Sequence, residues 1–520
     1  MKMLRPVIWA LLCTMLLGGF GAPAHAGSEP EALKAAFIRD GDLWVKQGEE
    51  ERRLTNEGRA SSPKWSHDGE FIAYTEGEDE QRELRIYSLR ANQPLSVYRG
   101  AGYHYEWAPD RNTIAFQIDR VLNTSDIRID AAEPFVNVSL GVGNFSWLPD
   151  GSGFLVSADA QLLPTGWTGV KLYKVPADAK LDRKRMKLLF SLPPENDDFF
   201  AVSTSRFKWS SDRKWIAFIA EPTASWSADS NTLCLLSSDA RVFHTAGHML
   251  RNEQWFKWAP KRSELAYIEG EGRIATQNKR LRIKVLPSFL PQSYTPKGSV
   301  DRGLTWVDDR TIVVSRSAES EWNNDPKLRP LPSLYRVDTS VKSAAGQAQS
   351  QVKLTSPPVN TGDFDPQYLP GAGRLTWVRS DRQHGEVWTA RADGSEAKRY
   401  IARIGGGDGY YESWSWESVL AWYEPAIHTR RTAAGIAEGA VPDYAKWGRL
   451  AVKETADRYK GAKIKDYRYI GRRKPGTGIT EEQFKLWLAQ DNREFGVFVH
   501  IRFETSTEKV ISVKFRESAH

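Results

Sequence analysis

The 520-residue sequence predicts an all-β propeller, eight blades favoured and seven the alternative count, followed by a small α+β domain. Three observations predict it. An aromatic residue ahead of a tight turn and a short apolar strand recurs eight times, at Trp65, Trp107, Trp147, Trp209, Trp258, Trp306, Tyr368 and Trp416, spaced 40 to 62 residues apart. Repeats of that length, built from strand–turn–strand units, are the mark of propellers. Hydrophobic residues make up 40% of the chain and 20 are Trp, which suits a strand-rich core. Beyond residue 442 the period changes from alternation to a helical spacing and back, so a different domain begins there.

Taken in order, the chain opens with a leader-like segment at 1–26. Lys2 and Arg5 precede an apolar run from Val7 to Leu17, and Ala24-His25-Ala26 offers a small-residue cleavage site. The run is shorter than the ~20 residues a membrane span needs, so export rather than anchoring is expected. Cys234, in Leu233-Cys234-Leu235-Leu236, is then the one cysteine of the mature chain and reads as a small buried hydrophobe. Between anchors there is room for three further strands, such as 70–75, 83–88 and 94–98 after Trp65, or 264–269, 280–285 and 288–294 after Trp258. Each repeat is therefore a four-stranded antiparallel blade with Asp/Gly/Pro turns. Segments 34–39, 42–46 and 51–54 lack a first strand, and the last anchor segment, 411–416, is expected to supply it and close the ring. The strand-like 419–424 is then one strand too many.

Residues 425–442, rich in Ala and Gly, read as a linker. Tyr444, Trp447, Leu450, Ala451 and Thr455 fall on one helix face, with Asp443 as N-cap and Gly461 as the stop. Strands at 463–470, 483–489, 495–503 and 510–515 complete a basic domain over 443–520. That piece holds 17 Lys/Arg against 11 Asp/Glu, whereas the whole chain is +7.

The W-S-x-D-G-x-x-I-A-Y/F pattern, with Asp40-Gly41-Asp42-Leu43-Trp44-Val45 near the start, resembles TolB-like propeller repeats. It also resembles the propeller that precedes the catalytic domain of prolyl oligopeptidases. The resemblance covers 34–424 and implies an exported protein that binds other proteins. The C-terminal segments AKWGRLAVKETADRY, IKDYRYIGRR, FKLWL and REFGVFVHIRF resemble a domain of small secreted bacterial proteins of unknown function.

Catalytic chemistry is poorly represented. No Gly-x-Ser-x-Gly elbow occurs, and the nearest pattern, Asp150-Gly151-Ser152-Gly153, falls in a blade turn. His244 and His248 have no carboxylate or cysteine close in sequence, so no metal site and no cofactor are expected. Asp68, Asp110, Asp150, Asp212 and Asp309 each sit alone in a hairpin, where Asx hydrogen bonding explains them.

Three long loops between second and third strands carry Trp167, Trp226 and Trp322, and all such loops leave one face of the ring. Glu76, Asp119, Glu221, Glu269 and Glu319, at the ends of second strands, lead to the same face. These eight residues are the expected ligand site, suited to a peptide, protein or glycan. Lys460, Lys463, Lys465, Arg472, Arg473 and Lys474 are the expected contacts to an anionic wall or membrane surface. Nucleic acid is not an expected partner. The expected function is a non-enzymatic binding or scaffold protein, exported and held at the cell envelope. The alternatives are a hydrolase or lyase acting at the propeller mouth, through converging carboxylates such as Glu221 and Glu269, and a structural or chaperone-like envelope protein.

Overall fold

The computed structural model describes residues 32–425 and 445–518, apart from short interruptions at 79–80, 101, 103, 165, 197–198, 224–225, 288–291, 342–350, 477 and 491–492. The expected leader, Asp443, Tyr444 and nearly all of the linker lie outside the described residues. The chain divides after Ala426 into two units.

Eight four-stranded antiparallel sheets make up the first unit among the described residues, which settles the blade count at eight. Blade 2 shows the pattern, with Ala60–Trp65 innermost, then Phe71–Glu76, Glu83–Ser88 and Gln93–Arg99 outward. Second strands are buried on both faces, as Phe71–Glu76 is throughout and Trp215–Glu221 is beyond its first residue, because each blade is covered by both neighbours. In blade 5 the inner strand is split into Ser203–Thr204 and Lys208–Trp209. Of the outer strand expected at 288–294, residues 288–291 lie outside the described residues, and Gln292–Ser293 is a strand.

Closure differs from the sequence expectation. Leu420–Trp422 is the innermost strand of blade 1 and pairs antiparallel with Lys34–Arg39, which is followed outward by Asp42–Gln47 and Glu50–Arg53. The segment expected to close the ring instead makes a separate hairpin, Asp408–Tyr410 with Ser413–Ser415. The surplus strand is thus the closing one, and the hairpin is the insertion.

A repeated hydrogen bond explains why the anchors recur. Trp107 Nε1 donates to the Lys64 carbonyl at 3.0 Å, Trp147 Nε1 to that of Glu106 at 3.2 Å, Trp258 Nε1 to that of Lys208 at 2.9 Å, and Trp306 Nε1 to that of Lys257 at 2.9 Å. Each acceptor is the residue just before the previous blade's anchor. Trp65 Nε1 donates to the Ala421 carbonyl at 3.0 Å, so the anchor of blade 1 is Trp422. Trp416, read from sequence as the eighth anchor, is a buried ring packed near Phe364 and Trp414.

In the second unit the helix Ala445–Arg458 lies on one face of a four-stranded antiparallel sheet. Its strands are Lys463–Gly476, Ile479–Gln490, Arg493–Glu504 and Val510–Ser518. Trp447 stacks on Phe503 with ring centroids 3.9 Å apart, and Ala451 packs in the same core as Phe484, Leu486, Val497, Val499 and Ile501. Gly461, at φ 92°, takes the left-handed conformation a helix stop requires.

Candidate functional site: the channel and its mouth

Inner strands alternate. Where the anchor indole turns to its neighbour blade, the residue before it turns to the axis of the ring. Lys64, Glu106, Lys208 and Lys257 occupy that position, so the axis is a charged channel rather than a packed core.

Arg206 and Glu417 bar this channel. Arg206 pairs with Glu253 and, at 3.2 Å, with Glu417, which arrives from the far side of the ring just ahead of the closing strand. Gln254 also donates to Glu417, and Lys208 donates to the Glu253 and Phe256 carbonyls. Burial opposes ionisation of Glu253, yet Arg206 and Lys208 outweigh it and hold that carboxyl at about 2. Burial, reinforced by Arg206, brings the amines of Lys64 and Lys208 down to about 8.

On one side of the bar opens a cavity of about 1100 Å³, on the face where second-to-third loops emerge. Asp119, Asp159, Glu221 and Arg251 line it, with the hydroxyls of Ser61, Ser203 and Thr204. A second cavity of about 520 Å³ continues beneath the Asp408–Ser415 hairpin, lined by Ser227, Ala228, Arg251 and Tyr410. A third, of about 690 Å³, lies at the opposite end, against Trp65, Lys257, Gln367 and Glu424. Arg206 and Glu417 line all three.

The hairpin is laid over the mouth and held to four blades. Asn252 Nδ2 reaches Ser413 Oγ at 3.2 Å, and Ala275 N–H donates to the Tyr411 carbonyl at 2.9 Å. Glu412, 1% exposed at its side chain, accepts from Arg302 and Arg329 at 3.3 Å each and from Arg382 at 2.9 Å. Tyr411 and Glu412 carry left-handed φ values of 47° and 68°, the backbone of a two-residue hairpin turn. Gly407 begins the hairpin so close to the Ser415 carbonyl that a Cβ would stand 2.7 Å from it.

The eight residues expected to form the ligand site do not converge. Asp119 and Glu221 line the mouth. Glu221 is buried, bonded to Arg251 at 3.0 Å and to Ser203 at 3.1 Å, and burial pushes its carboxyl up against their pull. Glu76 is buried beneath Arg85. Glu269 is tied to Arg282 at 2.7 Å, and Glu319 to Arg280 at 2.7 Å and the Asn278 N–H at 2.8 Å. The pairing of Glu221 with Glu269 across a substrate is therefore not formed, since Glu269 is not among the residues lining the mouth.

The tryptophans divide as well. Trp322 lies under the Arg329 guanidinium, 3.8 Å from the ring centroid, and against Tyr411 at 4.8 Å, so it supports the hairpin. Trp167 stands on its own small hairpin, Leu162–Leu163 with Gly166–Trp167, and lines none of the three cavities. Trp226 is 59% exposed at the head of the short helix Trp226–Asp229, whose next two residues line the 520 Å³ cavity.

Sequence reasoning missed the channel residues and the hairpin. The signal for the first was present: a charged residue stands immediately before the anchor in four blades, Lys64, Glu106, Lys208 and Lys257. Elsewhere the turn aspartates behave as expected, with Asp68 accepting from the Glu70 N–H at 3.0 Å and Asp150 from the Ser152 N–H at 3.0 Å. Asp309 differs, accepting from the Lys261 N–H of the neighbouring blade at 2.8 Å. Cys234 is fully buried and its thiol is pushed up by burial.

Among solved structures, the chain is similar to puromycin hydrolase at 13% identity, with 87% of this chain and 60% of that one covered and a TM-score of 0.41. It is similar to TolB from Acinetobacter baumannii at 12% identity, covering 76% and 67% with a TM-score of 0.32. The chain thus spans about six-tenths of the length of puromycin hydrolase. Residues 427–517 match the family described as protein of unknown function DUF3889. The uncharacterized protein YqzG of Bacillus subtilis strain 168 is 31% identical over 100 residues, which are 19% of this chain and 88% of that protein. The chain belongs to the DUF3889 family.

Within the DUF3889 unit, the residues expected to meet an anionic surface are not gathered on one face. Arg472 pairs with the buried Glu482 at 2.6 Å, on the helix-covered side of the sheet. Arg473, its neighbour along the strand, lies opposite Glu481 and is exposed. Lys474 is exposed near the strand end, and Lys460 is exposed just beyond the helix. Lys463 and Lys465 lie on the first strand of the DUF3889 sheet.

Proposed function

We propose that this protein is an exported, non-enzymatic binding protein whose propeller mouth receives a segment of a peptide or protein partner. The observation that carries the reading is the open, polar cavity of about 1100 Å³ at one end of the channel, continued beneath the hairpin. A groove rimmed by hydroxyls, carboxylates and exposed rings suits an extended chain, whose peptide groups need partners while its side chains fill the pockets. Asp119, at the mouth, and Asp408, on the hairpin, make no ion pair among the described residues, which favours a segment carrying basic side chains. Trp226 and Tyr410, 59% and 53% exposed, offer flat surfaces at the hairpin end. Expectations of export rest on Lys2, Arg5 and the apolar run that follows them.

Affinity capture from the producing cell, with the full chain as bait, tests the reading. Asp119→Asn with Trp226→Ala and Tyr410→Ala should lose a partner that the unaltered chain captures, with the melting profile preserved. Retention of every captured partner by that triple variant would sink the reading.

A further inference from the structure

The sheet of the DUF3889 unit has two unlike faces. Strand alternation places Phe484, Leu486 and Leu488 under the helix, and so turns Glu481, Gln483 and Lys485 to the opposite side. The register then builds three cross-strand rows on that helix-free face. The first runs Arg473, Glu481, Arg502, Ser512, the second Gln483, His500, Lys514, and the third Lys485, Phe498, Arg516.

Among the described side chains of this face there are five cations, Arg473, Lys485, Arg502, Lys514 and Arg516, and two carboxylates, Glu481 and, at the strand end opposite Ile479, Glu504, which accepts from Thr507 Oγ1 at 2.6 Å. Glu481 is already engaged by Arg502, by Gln483 at 2.6 Å and by His500 at 3.2 Å. Arg473, Lys514 and Arg516 are exposed. Phe498 is half-buried and bracketed, with Lys485 Nζ 5.2 Å and the Arg516 guanidinium 5.0 Å from its ring centroid.

We propose that this helix-free face is a docking surface for a linear phosphodiester polymer with short polyol links. Successive rows are about 7 Å apart along the strands, so a chain laid along them meets a cation at each row. Guanidinium groups bind phosphate oxygens in a forked geometry that a strand pair can share. Phe498, an apolar surface between two cations, takes the carbon link between phosphates. A membrane would call for an apolar projection that enters the acyl region, whereas this face presents charge across its width. One ring cannot stack successive bases, as a single-strand nucleic-acid platform does.

The test uses the full-length protein and synthetic poly(glycerol phosphate), followed by fluorescence anisotropy across a salt series. Kd should rise steeply with salt, and Lys485→Gln with Arg516→Gln should weaken binding roughly tenfold while lowering the slope of log K against log salt by about 0.7 per cation removed. Lys514→Gln alone should lower the slope by half as much as the double variant. Lys460→Gln, a change outside the face, should leave both quantities unaltered. An equal loss in Lys460→Gln would reduce the effect to net charge and overturn the proposal, as would unchanged binding by the double variant. Binding to phosphatidylglycerol vesicles without binding to the free polymer would transfer the site to a membrane. Tighter binding of a single-stranded deoxyoligonucleotide of equal charge would assign it to nucleic acid.

Discussion

Lys64 and Lys208 project into the channel with amines near 8, against an ordinary value of 10.5, because burial disfavours their charge. Between pH 8 and 10.5 the unfolded chain therefore binds more protons at these positions than the folded one, and stability contributed there rises with pH. Below pH 8 both lysines are charged in both states and the full burial cost is present. Relative to Lys208→Met, the unaltered protein should gain melting temperature across pH 8 to 10.5, and a flat difference across that window would contradict the assignment. Glu253 gives the same sign in a lower window: held at about 2, it contributes stability fully above its ordinary 4.5 and loses it as pH falls towards 2. The indole bond between blades makes a second prediction. Trp258→Phe deletes a donor to the Lys208 carbonyl, whereas Trp209 Nε1 has no protein acceptor among the described residues. Chemical denaturation should show Trp258→Phe more destabilising than Trp209→Phe by about 1 kcal/mol. The anchors were legible from the sequence because each solves the same local problem. The channel lysines do not stand out in the sequence, because a Lys–Trp pair reads equally well as a solvated residue beside a core one.

Hairpin Asp408–Ser415 shows where reading by element succeeds and fails. Strand signals in blades 1, 2 and 6 matched closely, since 34–39, 83–88, 264–269 and 280–285 are strands with those ends. At the close of the ring two aromatic segments competed, 411–416 and 419–424, and both alternate well enough to be strands. What decides between them is tertiary: Lys34–Arg39 has one open edge, and only Leu420–Trp422 reaches it. The hairpin is held instead by Glu412 and its three arginines, contacts that no local pattern announces. The same limit scattered the tryptophan site, because loop length indicated which loops could carry a site and not which side chains fold back. Glu412→Gln leaves Arg302, itself 1% exposed, without its charge partner. Such a loss in a buried pair costs about 3–5 kcal/mol. Hydrogen exchange should then rise within 408–415 and the adjoining loops while the outer blade strands stay protected. Uniform exchange across the ring would show that the hairpin and the blades unfold together.

At the scale of the molecule, eight blades close by joining the two ends of one chain segment. Trp65 bonds to Ala421, Tyr400 Oη to the Leu33 carbonyl at 2.7 Å, and Arg39 Nε to the Arg403 carbonyl at 2.9 Å, across separations of 356 to 367 residues. Deleting Leu420–Trp422 should leave Lys34–Arg39 with a bare strand edge, and size-exclusion chromatography should report more association than the unaltered chain shows. An elution profile unchanged by the deletion would show that the remaining contacts hold the ring without its inner strand. This closure also orders events in time. Three strands of blade 1 leave the ribosome first and wait for a fourth nearly 400 residues behind them, and contacts so distant in sequence form slowly. Until then the chain is an open arc with an unsatisfied edge at its start, the form most exposed to proteases and to pairing with another copy.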